Sequence, residues 1–163
     1  RGKNGNVADQ SSIDMGHGTH TAGTIGASWD GHGISGVASD VKIVSITLAD
    51  GDGNENLADA VCAFDFVSRF NEQASDEQRI KITSNSWSEH MSSRALDAVV
   101  RELGDTWGIV SFFSAGNDSK NNDYYEKTPS SLVDNPYAVI VANTCRLGQC
   151  HPVSSSRAYN QLR

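Results

Sequence analysis

No long apolar run occurs in this sequence. A membrane-crossing helix needs about 18 or more consecutive apolar residues, and no such stretch is present. Basic residues are also scarce. Thirteen Lys and Arg against twenty Asp and Glu leave a formal charge of −7. Phosphate binding needs clustered Lys and Arg, so this balance argues against a nucleic-acid or anionic-membrane partner. Cysteines number three and cannot all pair within the chain. Cys145 and Cys150 could close a small disulfide loop, while Cys62 sits in an apolar helical pattern and is expected to be a buried free thiol. A zinc reading of Cys145, Cys150 and His151 lacks a fourth ligand at useful spacing. These counts permit an oxidising compartment without requiring one. No repeat or low-complexity tract appears, and no Gly-x-Gly-x-x-Gly or phosphate loop follows the first strand pattern, which argues against a nucleotide-binding α/β domain. The opening Arg-Gly-Lys-Asn-Gly-Asn has no apolar core and is not a signal peptide, as would also hold for the remainder of a cut precursor.

What is there is globular. The 163 residues are 37% hydrophobic and 20% charged, enough for one domain or a large piece of one. Short β-branched runs at Val41–Leu48, Ile80–Ser84, Ile109–Phe113 and Tyr137–Ala142 read as strands buried on both faces. Leu57, Val61, Phe64, Val67 and Phe70 recur at helical spacing, which predicts a helix over 57–72. Leu96, Val99, Val100, Leu103 and Trp107 repeat the pattern after Ser92-Ser93, a candidate N-cap. Stretches 49–56 and 116–123 are rich in turn residues. Strands alternating with helices predict a mostly parallel α/β sheet with right-handed crossovers. In such sheets chemistry gathers at the carboxyl ends of the strands, here Asp50–Asn54, Asn85–Ser88 and Ala115–Asp118.

Two segments carry the chemistry. In Asp14-Met-Gly-His-Gly-Thr-His-Thr-Ala-Gly-Thr-Ile-Gly-Ala27, glycines leave space around His17 and small residues let the following helix pack closely. A histidine at the mouth of a buried helix suits a general base, since its ordinary pKa lies near neutrality. In Ser111-Phe-Phe-Ser-Ala-Gly-Asn-Asp118 an apolar strand ends on small residues and presents Asn117, whose amide could donate into a cleft. Read one at a time, both segments also fit polar loop and turn roles.

Taken together they resemble the subtilisin-like serine proteases, the subtilases. His-Gly-Thr-His-Thr-Ala-Gly-Thr at 17–24 resembles the family's histidine signature, and Ser-Ala-Gly-Asn-Asp at 114–118 resembles its oxyanion-asparagine segment. Gly36-Val-Ala38 leading into Val41–Ile46, Asp50-Gly-Asp-Gly53, Asn85-Ser-Trp-Ser88, and Pro129-Ser-Ser with Asn135–Ala142 match further family segments in order. The resemblance implies a subtilisin-like α/β fold, mostly parallel with helices on both faces. It implies a serine endopeptidase acting by Ser/His/Asp acyl transfer. His17 would be the general base, His20 a structural histidine, and Asn117 the oxyanion donor. Gly51, Asp52 and Gly53, with Ser86, Trp87 and Ser88, would pair with an extended peptide as added strands. Ala115, Gly116 and Pro129 would line the pocket before the scissile bond. The partner implied is a polypeptide, and the full-length enzyme is expected to be secreted and monomeric.

Ser88 stands where the family usually has Gly, which could crowd the pocket entrance. The family's Asp-(Thr/Ser)-Gly strand end is not found before His17, and no Gly-Thr-Ser nucleophile follows Asn117; Ser154-Ser-Ser156 lacks the glycine. Residues 1–163 therefore read as the middle of a catalytic domain, incomplete at both ends, and inactive on their own. The chemistry needs no cofactor and the resemblance assigns no metal ligand. Ser28–Ile34 occupies the position of a calcium loop in many subtilases, with Asp30 as a candidate ligand and a solvated Gly-rich turn as the alternative. The alternative function is a noncatalytic subtilase-like domain that binds peptides.

Overall fold

A computed structural model describes residues 16–48, 56–87, 93–116, 132 and 134–142. The chain divides into two compact units, Arg1–Asn56 and Leu57–Arg163.

In the first unit, α1 spans His17–Gly26. Gly16 precedes it at φ +103°, a left-handed conformation that a side chain would disfavour, and this turns the chain into the helix. The helix's last carbonyls are satisfied by the segment that folds back beneath it. Val37 N–H donates to Thr24 O (3.1 Å), Ala38 N–H to Ile25 O (2.8 Å) and Gly36 N–H to Ala27 O (2.9 Å). Gly36 lies so close to the Gly26–Ala27 backbone that a Cβ there would collide with it. Trp29 Nε1 donates to Gly36 O at 2.7 Å and closes the loop. Small residues do let this helix be approached closely, as expected: a Cβ on Gly26 would meet Val41 Cγ2 at 3.2 Å and Ile43 Cδ1 at 3.1 Å. The expectation of a buried helix is corrected, because no α1 residue is buried. Val41–Leu48, expected as a strand, joins no ladder among the described residues. β-branched composition favours extended backbone, but a strand also needs a partner for its N–H and C=O groups. Here Val41 remains 47% and Ile46 39% exposed.

The second unit is layered. α2 spans Leu57–Gln73 and α3 Arg94–Trp107, and strands β1 (Ile82–Asn85), β2 (Val110–Ser114) and β3 (Ala138–Val141) form a parallel sheet in the order β1-β2-β3. The register pairs Ser111 with Thr83 and Ala138, and Phe113 with Asn85 and Ile140. Alternation along β2 and β3 sends Ser111, Phe113, Ala138 and Ile140 to one face. There they join Phe64 and Val67 of α2 and Leu96, Val100 and Leu103 of α3 in one core. Both helices therefore cover the same face. Opposite residues remain open, with Ile82 60% and Val141 51% exposed.

Local signals explain the elements. Ser93 caps α3, its Oγ accepting from Leu96 N–H at 3.1 Å, and Gly108 ends the helix at φ +66°. The buried stripe of α2 is Ala60, Phe64, Val67 and Asn71, at alternating spacings of four and three. Cys62, expected to be buried, is an exposed free thiol. It lies two residues from Ala60, roughly 200° around the helix and so on the outer side.

Three buried polar or small residues hold the layers together. Asn71 Nδ2 donates to Ile80 O (2.9 Å) while its Oδ1 accepts from Ile80 N–H (2.8 Å), so the end of α2 is paired with the approach to β1. Asn135 Nδ2 donates to Asp97 Oδ1 (2.9 Å) and its Oδ1 accepts from Tyr137 N–H (3.0 Å), tying α3 to the turn before β3. Gly104 leaves a notch in α3 filled by the Tyr137 ring, and any Cβ there would collide with that ring. The Tyr137 hydroxyl donates to Asp105 Oδ1 at 2.6 Å.

Candidate functional site

His17 is the first residue of α1 and is exposed. Its position is set by Gly16 before it and by the first helical hydrogen bond, His20 N–H to Gly16 O at 2.7 Å. Thr21 Oγ1 donates back to Gly18 O and Thr24 Oγ1 to His20 O, each at 3.0 Å. The hydroxyls of Thr21 and Thr24 thus turn onto their own helix backbone. His20 follows one turn later and is exposed as well.

Four of the sequence-predicted substrate residues come together in the second unit. Ser86 and Trp87 continue from the carboxyl end of β1, and Ala115 and Gly116 continue from that of β2. Because β1 and β2 are parallel neighbours, both segments leave the sheet on the same edge. This is the edge where α/β sheets place ligands. The Trp87 ring stands edge-on to Phe113, 5.7 Å between centroids at 88°, and Phe113 in turn packs against Phe64 of α2. Ala115 is buried, and its N–H donates to Val141 O at 3.0 Å. Gly116 takes φ +82°, and its N–H donates to Ser114 Oγ at 3.1 Å. The end of β2 is therefore tied to β3 and braced locally by Ser114, and Gly116 holds a left-handed conformation that suits glycine.

Gly51, Asp52, Gly53, Ser88, Asn117 and Pro129 lie outside the described residues, as do Cys145, Cys150, His151 and Ser154–Ser156. Asp30, the candidate calcium ligand, accepts from His32 N–H through Oδ1 at 2.9 Å. Calcium takes about six to eight oxygens. Among the described residues no three His, Cys, Asp or Glu side chains cluster. Among the described residues no helix is long and apolar enough to cross a membrane.

Sequence reasoning overlooked residues that fix the amino ends of β1 and β3, at the opposite end of the sheet. Asn71 occupies a buried position in an otherwise apolar stripe, and Gly104 interrupts a strong helical pattern; each departure from pattern was the available signal. Tyr137 is also perturbed electrostatically by its partner. The hydrogen bond to Asp105, with partial desolvation and that carboxylate's charge, holds its phenol above the ordinary value.

Residues 2–162 match the subtilase family. The alkaline serine protease ver112 of Corniculantispora psalliotae is 34% identical over 117 residues, covering 71% of this chain and 28% of that protein. The minor extracellular protease Epr of Bacillus subtilis is 30% identical over 121 residues, covering 74% of this chain and 17% of that protein. Tripeptidyl-peptidase 2 of Drosophila melanogaster is 29% identical over 117 residues, covering 69% of this chain and 8% of that protein. The chain thus spans less than a third of the length of each of these relatives.

Proposed function

Because the chain belongs to the subtilase family, we propose that the protein containing it is a secreted serine endopeptidase acting by acyl transfer. The observation that carries this reading is the match over residues 2–162, which includes both the His17 signature and the Asn117 segment. In this mechanism His17 takes the proton from the attacking serine and returns it to the leaving amine. The serine oxygen bonds to the substrate carbonyl carbon, the amine leaves, and water then hydrolyses the acyl-enzyme. The Asn117 amide donates to the oxyanion that forms in between. A triad aspartate and the serine itself come from sequence other than residues 1–163.

The polypeptide substrate binds extended, its backbone pairing with residues 51–53 and 86–88, while Ala115, Gly116 and Pro129 line the pocket for the side chain before the scissile bond. Two strand ends side by side on one sheet edge support that mode of binding. The name of the Bacillus relative, an extracellular protease, supports the secreted location.

The test uses the full-length protein and an unstructured polypeptide. Hydrolysis and stoichiometric labelling by a serine-directed phosphonate are expected, and His17→Ala should abolish both turnover and rapid labelling while the melting temperature stays unchanged. Turnover that survives His17→Ala would refute the assignment. Residues 1–163 expressed alone carry no Gly-Thr-Ser sequence and should take no label.

A further inference from the structure

We infer that Asn85 is a positioning residue that keeps the Ser86–Trp87 and Ala115–Gly116 segments in register; this rests on the protease reading above. Asn85 is the last residue of β1, immediately before Ser86. Its side-chain amide uses both hydrogens. One goes across to Phe112 O of β2 at 3.0 Å, and the other goes along its own strand to Thr83 Oγ1 at 3.0 Å. The amide is therefore fixed in direction and joins β1 to β2 at the final rung of their ladder, where Asn85 faces Phe113.

That location decides what the bond does. The middle of the sheet is held by the core beneath Phe113, whereas strand ends fray because their outermost groups have neighbours on only one side. The end of β2 is already tied to β3 through Ala115 N–H and Val141 O at 3.0 Å. Asn85 supplies the corresponding tie between β2 and β1. With both in place, the three strand ends form one fixed edge, and the Trp87 ring resting on Phe113 adds packing at the same point. The Asn85 amide is committed to the sheet itself, to Thr83 and Phe112. It acts by setting how far Ser86–Trp87 stands from Ala115–Gly116, and that spacing matters to a peptide that touches both. A short substrate that reaches only the nucleophile is indifferent to it.

The experiment compares two substrates on the full-length protein, an extended peptide anilide occupying several positions before the scissile bond and a short activated ester. Concentrations are normalised by active-site titration, so only folded, competent molecules count. Asn85→Leu keeps the volume and removes both donors. It should lower the ratio of kcat/KM for extended over short substrate by roughly tenfold, mostly through a higher KM for the extended one. Asn85→Asp, which keeps the shape but replaces the donors with acceptors, should move the ratio the same way and stands in if Asn85→Leu does not fold. An unchanged ratio, with both substrates losing equally or not at all, would show a purely structural role and overturn the inference. Failure of the unsubstituted protein to hydrolyse either substrate is a different outcome. It overturns the protease reading itself and the inference with it.

Discussion

The two units write similar apolar patterns and use them differently. In the second unit Phe64, Val100, Leu103 and Phe113 are buried because two helices and a sheet supply faces for one another. In the first unit Val41, Ile43, Val44 and Ile46 are equally apolar and all β-branched, yet each is 39–47% exposed and none lies in a ladder among the described residues. α1 is held by backbone hydrogen bonds and glycine contacts instead of by a buried stripe. Apolar pattern states a capacity for burial, and the realised burial depends on which neighbour arrives.

Substitutions can break or sharpen this contrast. Phe113→Ala removes a ring packed between Phe64 and Trp87 and should cost about 3–5 kcal/mol in the unfolding free energy of the chain by denaturant titration. Asn71→Leu leaves Ile80 N–H and C=O without their side-chain partner and should cost about 1–3 kcal/mol. Hydrogen exchange at the Ile80 amide should speed up in that variant. Ile43→Ala, at a half-exposed site, should cost about 1 kcal/mol or less. If it cost as much as Phe113→Ala, the first unit would have a covered apolar face in solution and the contrast would fail.

The smallest effect concerns Tyr137 and alkaline pH. Its pKa is raised from 10.0, so the folded state favours the protonated phenol. That contribution is fully present below pH 10 and is lost as pH rises through the folded-state value. Tyr137→Phe should therefore flatten the decline in stability above pH 10. An identical slope in both proteins would show that the Asp105 hydrogen bond contributes nothing to it.

Much of the second unit was legible in the sequence. The periodicity of 57–72 and 94–107, the Ser93 cap and the three strands all appear near the expected places, because each is encoded within a few residues. Cys62 was misjudged because the residues from Leu57 to Phe70 are apolar on more than one side, and only the sheet's position selects the Ala60–Phe64–Val67–Asn71 stripe. Val41–Leu48 finds no ladder among the described residues for the complementary reason, since strand composition cannot specify a partner. At the candidate site, the order of Ser86, Trp87, Ala115 and Gly116 at strand ends followed from topology. The Asn85 bridge did not, since it depends on a carbonyl at Phe112, far along the chain.

The notch at Gly104 couples two positions that the chain keeps far apart. Without the Tyr137 ring, α3 would have a gap in its wall at Gly104, where a helix ordinarily presents a side chain. The ring of Tyr137 then completes the helix surface from outside, as a borrowed side chain. Neither position can be changed alone: a larger residue at 104 evicts the ring, and a smaller one at 137 leaves the gap open. α3's surface is thus completed by the residue just before β3, which links the integrity of that helix face to the placement of β3.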